Sequence, residues 1–163
     1  VKAQHSSIEV ISVESAQQMY EAAMEETKTA DIQILCAAVA DYRPETTASD
    51  KIKREKTGEM TIRFVPNPDI AASLGKVKRD GQISVGFALE TNDEEMNARG
   101  KCERKNLDFI VMNSLKDAGA GFRHDTNKIT IFDADGSKTE YGLKPKTEVA
   151  KDIVDHIVSI IKK

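Results

Sequence analysis

Residues Ile34–Pro44, ILCAAVADYRP, constrain the fold of this chain more than any other stretch. An apolar run of small and branched residues breaks abruptly into Asp41, Tyr42 and Arg43. A parallel strand buried on both faces reads as just such a continuous run, and open α/β sheets bind ligands where their strands end at the carboxyl edge. An acid, a phenol and a guanidinium fit a core poorly and suit a site. Ten residues further on, Lys51-Ile52-Lys53-Arg54 concentrates positive charge on a polar stretch, so the two features together point to an anionic ligand.

The 163 residues suit a single domain (1–163), since a chain of this size buries roughly 70% of its unfolded surface. The formal net charge of −3 gives no reason to expect nucleic acid or a membrane surface as partner. No apolar run approaches the ~20 residues that span a bilayer. Cys36 and Cys102 match no metal or redox spacing, which suggests reduced thiols and a cytoplasmic protein.

Strand-like runs alternate with helix-period segments. Strands are expected at Ile8–Ile11, at Ile32–Ala38 as a central strand, and at Met60–Val65, Ile83–Leu89 and Phe109–Met112. Ser15 with Gln18 forms a capping-box signature for a helix reaching Lys28, with Met19, Tyr20, Ala22 and Ala23 on its buried face. Thr46–Gly58 lacks periodicity and reads as an exposed loop. Asn67-Pro68-Asp69 predicts a helix start with Asn67 as N-cap. Asn92 with Glu95 opens a helix to Lys105. Lys128–Phe132 and Lys138–Tyr141 flank the hairpin turn Asp133–Gly136. A last amphipathic helix over Thr147–Ile161 places Val149, Ile153, Ile157 and Ile160 on one face. The pattern implies an α/β sheet with an antiparallel hairpin addition.

The motifs are individually weak. Gly119-Ala120-Gly121 lacks a third spaced glycine and a following helix, so a plain loop is favoured over a phosphate cradle. His5, His124 and His156 show no ligand spacing and read as solvated surface residues, and nucleophilic catalysis has no support. Lys51 and Lys53 fall on one side of an extended segment, where both reach one polyphosphate; solvation of the loop is the competing reading. Asn67–Ile70 is a helix N-terminus at a strand's carboxyl end, with free N–H groups that favour anions. Lys101 and Lys105 share a helix face, where pairing with acids is the simpler reading. Phe87 is either a core aromatic or a stacking platform.

Taken in order, CAAVADYRPE (36–45), KIKR (51–54), PNPDI (66–70), VGFALET (85–91), KNLDFIVMN (105–113) and GFRHDTNKITI (121–131) resemble the phosphopantothenoylcysteine synthetase domain of coenzyme A biosynthesis in its bacterial form. The resemblance covers nearly the whole chain. It implies a Rossmann-like fold with a mostly parallel sheet. It further implies CTP-dependent ligation of phosphopantothenate to cysteine: the carboxylate attacks the α-phosphorus of CTP, and the cysteine amine then displaces CMP from the acyl-cytidylate. Magnesium would accompany CTP, and no flavin is expected in this domain. A flavin-dependent decarboxylase domain is commonly fused upstream. The family's domain is dimeric, with Lys128–Tyr141 a candidate for part of the interface.

Carried over by position, the resemblance assigns CTP contacts to Leu35, Cys36, Ala37, Ala38, Asp41, Lys51, Asn67, Pro68, Asp69, Ile70, Phe87, Lys101 and Lys105. It makes Lys51 the reactive loop lysine, with Lys53 in support. The family's domain begins with a strand, a glycine-rich loop and a helix that this sequence does not contain, so the chain reads as the domain's C-terminal portion, not expected to turn over alone. The competing reading is a non-catalytic nucleotide-binding or regulatory module.

Overall fold

A computed structural model describes residues 5–53, 58–90, 92–114 and 124–162. Arg54, Thr91, the Gly119–Gly121 loop and Arg123 lie outside them. In chain order the elements are α1 (Ala16–Glu26), β1 (Ile32–Leu35), β2 (Tyr42–Pro44), β3 (Phe64–Pro66), α2 (Ile70–Lys76), β4 (Ile83–Glu90), α3 (Glu94–Arg104), β5 (Phe109–Ser114), β6 (Thr126–Asn127), β7 (Ile129–Asp133), β8 (Lys138–Glu140), β9 (Lys144–Pro145) and α4 (Lys146–Ile161).

Five strands form one sheet in the order β1-β4-β5-β7-β8. The pairs β1·β4 and β4·β5 are parallel, and β7 runs antiparallel to both of its neighbours. Four of the five strands therefore point the same way, and the β7–β8 hairpin supplies the expected antiparallel addition. Alternation along the strands divides the core in two. Val85, Phe109, Val111, Ile129 and Ile131 face Val149, Ile153 and Ile157 of α4. On the opposite face Ala88, Ile110, Met112 and Phe132 meet Ala98 and Cys102 of α3. The alternation of β5, with both sets fully buried, shows why its sequence reads as an unbroken apolar run.

Helix α1 starts at the Ser15–Gln18 capping box read from the sequence. Its inward face is half-buried rather than enclosed. The C-terminal end is fastened to the sheet by buried amides. Gln33 Nε2 donates to Thr27 Oγ1, and Gln82 Nε2 donates to the carbonyls of Thr27 and Ala30. Helix α4 has its buried stripe where the periodicity placed it, with Ile160 packed against the same core.

Several expectations need correction. The Ile32–Ala38 segment is strand only to Leu35 and sits at the sheet's edge, with Ile32 and Ile34 exposed. An apolar run reports fitness for burial, whereas burial needs a neighbour on each side. Ile8–Ile11 is not a strand among the described residues, because no strand lies beside it to complete a ladder; Ile8, Val10 and Ile11 are exposed. Of the Met60–Val65 segment only Phe64 and Val65 are strand, in β3 (Phe64–Pro66), paired with β2 in an exposed two-stranded ribbon. Asp69, not Asn67, caps α2 by accepting from Ala72 N–H. His156 is not solvated: its Nε2 lies 2.7 Å from Asp133 Oδ1, and its ring meets the Phe109 ring edge-on. His5 and His124 are exposed.

Candidate functional site

A cleft of about 460 Å³ opens at the carboxyl end of β1, beside Gly86 and Phe87 of β4. Leu35, Gly86, Leu107 and Ile110 give it an apolar floor, and Met19 and Ala23 of α1 form one wall. The segment that follows β1, the entry to α2 and two lysines of α3 supply its polar rim. This is the position where open α/β sheets place their ligands.

The rim begins where β1 stops. Residues 36–41 have no regular structure, and the N–H groups of Ala37, Ala38 and Val39 donate no backbone hydrogen bond among the described residues. Small side chains leave that backbone open, so its donors are available to a ligand. Asp41 closes the segment, and its carboxylate has no hydrogen bond or ion pair among the described residues. Asn67 holds the segment in place. Its N–H donates to Asp41 O at 2.8 Å, its Nδ2 donates to Ala40 O at 2.8 Å, and its Oδ1 accepts from Arg43 at 3.1 Å. Asn67 is thus a latch between the β1 exit and the α2 entry, which is why the cap falls two residues later.

The two lysines are each held by one acid. Lys101 Nζ lies 2.6 Å from Glu90 Oε1, at the end of β4. Lys105 Nζ lies 3.1 Å from Asp69 Oδ1. Burial raises the Asp69 carboxyl, but the Ala72 N–H and the Lys105 ammonium outweigh it and hold the group below the ordinary carboxylate range. An ammonium carries three donors, so each lysine retains two for an incoming anion.

Helix packing fixes the lysines' height. Gly75 of α2 lies against the end of α3 so closely that a Cβ there would stand 2.1 Å from Lys105 O. Asn106, with φ of 52°, turns the chain and donates from Nδ2 to Gly75 O.

Of the sequence-predicted residues, the cleft brings together Leu35, Cys36, Ala37, Asp41, Asn67, Pro68, Asp69, Ile70, Phe87, Lys101 and Lys105. Phe87 reaches the cleft while packing against the α4-side core, which favours its reading as a core aromatic. Ala38 belongs to the same segment but does not line the cleft, and Lys51 and Lys53 stand on an exposed stretch outside its lining. Sequence reasoning missed Gly86 in the cleft floor and Glu90, which holds Lys101 from outside the lining. Glu90 carried the same signal as Asp41, an acid ending an apolar strand.

The sequence family described as DNA/pantothenate metabolism flavoprotein C-terminal domain matches residues 1–161. The chain belongs to this family. It is 44% identical over 154 residues to the coenzyme A biosynthesis bifunctional protein CoaBC of Bacillus subtilis, covering 94% of this chain and 37% of that protein. CoaBC of Vibrio vulnificus strain CMCP6 is 43% identical over 152 residues, covering 93% of this chain and 38% of its own length. A prokaryotic protein named cysteine/cysteine sulfinic acid decarboxylase is 54% identical over 154 residues, covering 94% of this chain and 43% of that protein. The chain thus spans about two-fifths of the length of these relatives. The crystal structure of a CoaBC C-terminal domain superposes with a TM-score of 0.74 at 34% identity, over 93% of this chain and 65% of that one. Family and fold therefore agree with the sheet and hairpin described above.

Proposed function

We propose that the cleft binds CTP and serves the ligation of phosphopantothenate to cysteine in coenzyme A biosynthesis. The observation that carries the reading is the convergence, at one cleft, of the backbone segment 37–39, of Asp41, unpaired among the described residues, and of the two α3 lysines. Membership in a family whose relatives include CoaBC supplies the reaction. The chemistry needs alignment and charge neutralisation more than a protein nucleophile. Phosphopantothenate's carboxylate attacks the α-phosphorus and expels pyrophosphate, and the amine of cysteine then expels CMP. Lys101 and Lys105 would meet the phosphates, and the apolar floor would take the less polar portion of a ligand.

Magnesium would enter with the triphosphate. No cluster of three or more His, Cys, Asp or Glu able to hold an ion occurs among the described residues, and Asp69 and Glu90 are engaged with lysines. Lys51 and Lys53 would act from a segment that comes over the cleft when substrate is bound. In the parent protein a flavin-dependent decarboxylase domain would precede this one, in the cytoplasm. No helix among the described residues is long and apolar enough to cross a membrane.

A homodimer is part of the same reading. The Lys128–Tyr141 hairpin would offer it the exposed sheet edge of β8, since Ile129–Phe132 is buried. Tyr42 and Phe64, exposed on the β2–β3 ribbon, with Ile62 exposed just before β3, make a further face for a second copy.

The test is turnover in the parent protein with phosphopantothenate, cysteine and magnesium–CTP. Release of pyrophosphate and CMP in equal amounts, dependent on cysteine for the CMP, supports the ligase. The position of Lys51 and Lys53 outside the cleft lining favours one second reading, a module that binds nucleotide without chemistry. It would show CTP binding and no pyrophosphate.

A further inference from the structure

Glu90 does not itself line the cleft, but it pairs with Lys101, which does, and the proposed reaction leaves it without a role. It ends β4, on the face that Ala88 shares with Ala98 and Cys102 of α3, so its side chain is directed at α3 and not at solvent. That side chain is only 12% exposed. A carboxylate so enclosed needs a charged or hydrogen-bonding partner, and among the described residues Lys101 Nζ, at 2.6 Å, supplies it. Lys101 itself is 38% exposed, and its side chain would otherwise sample many rotamers in water. The pair therefore fixes the ammonium more than it hides it. Lys105 is held by Asp69 in the same manner one turn along the helix.

We propose that Glu90 is the positioning residue for Lys101, fixing its ammonium at the rim of the cleft with two N–H groups left to face a nucleotide's phosphates. The proposal rests on the nucleotide reading of the cleft and deepens it. A fixed cation acts most on the charge that builds as pyrophosphate departs, and less on ground-state binding. Glu90 also neutralises Lys101 before ligand arrives, so its loss removes orientation without removing positive charge from the site. Its signature is thus a fall in kcat with little change in KM.

The test compares Glu90→Gln, Lys101→Gln and the double variant in the parent protein, reading CTP-dependent pyrophosphate release and the melting temperature. Each substitution keeps the side chain's size and a hydrogen-bonding amide. Glu90→Gln is expected to lower kcat about tenfold, with KM for CTP changed less than about threefold, since a charge-assisted contact is roughly twice as strong as a neutral one. Lys101→Gln is expected to lower kcat further. The double variant should match Lys101→Gln within about twofold, because an anchor has no function once its cation is gone. Unchanged kcat in Glu90→Gln would overturn the role, as would losses that multiply in the double variant or a KM rise that accounts for the whole effect. Wild-type protein without CTP-dependent turnover would overturn the functional reading and the role with it, and that result is visible before any variant is made.

Discussion

Two cysteines in opposite settings give the site a chemical handle. Cys36 is exposed on the cleft rim, whereas Cys102 is buried between α3 and the sheet. Burial pushes the Cys102 thiol up to about 11, with the Asp108 and Asp133 carboxylates adding to the effect, so the reactive thiolate is scarce there at neutral pH. A thiol reagent should therefore modify one cysteine in the native chain, Cys36, and two after unfolding. Saturating magnesium–CTP should slow the Cys36 reaction severalfold, as peptide mapping of the labelled protein would show; equal rates with and without CTP would place the nucleotide elsewhere. Asp69 makes a pH-dependent contribution. Its folded-state carboxyl is held below the ordinary value, so the stability it gives is complete above that value and is lost as pH falls through the depressed one. Urea midpoints of wild type and Asp69→Asn should differ at neutral pH and converge as pH falls below the ordinary carboxylate value. At this scale the sequence revealed acids that interrupt apolar strands. It did not reveal whether a given acid stays free among the described residues, as Asp41 does, or spends its charge on a lysine, because the partner comes from another element.

At the scale of elements, the junction between α2 and α3 governs where Lys105 stands. A Cβ at Gly75 would meet Lys105 O, a backbone atom that cannot swing aside. Gly75→Ala should cost about 1–3 kcal/mol, the usual range for overpacking, read as a lower urea midpoint at unchanged slope. It should also weaken CTP binding by displacing Lys105 from Asp69. The segment carrying Lys51 tests a different kind of placement. Lys51→Ala should leave the melting temperature unchanged, since the side chain is exposed, yet lower ligase turnover by about a hundredfold or more if the residue meets developing phosphate charge. Turnover within a factor of two would remove Lys51 from the mechanism. Element type was read well where local signals decide: the Ser15–Gln18 box, the turn at Asp133–Gly136 and the stripe on α4 all fall where they were expected. Local signals failed where tertiary contacts compete. Asn67 has the chemistry of an N-cap, but its side chain is taken by Ala40 O and Arg43, and the cap passes to Asp69.

Across the whole molecule, a mixed sheet carries one helix on its α4 face and gathers its polar groups at one edge. That edge was visible in the sequence because the apolar run of β1 and its exit breaks into Asp41, and because a strand's carboxyl end is where α/β sheets bind. The rank of β1 within the sheet was not visible. Ile32 and Ile34 have the composition of interior residues, and only the strand order shows that one side of β1 is open among the described residues. The central claim is that the rim formed by 36–41, 67–70 and the two α3 lysines is a nucleotide site selective for CTP. It is tested most directly by calorimetric titration of this chain with magnesium–CTP, with magnesium–ATP as the control. One CTP should bind saturably per chain, ATP at least tenfold more weakly, and Asp41→Asn should show a clear loss of CTP affinity. Equal binding of the two nucleotides, unaltered affinity in Asp41→Asn, or no heat with either nucleotide would contradict it.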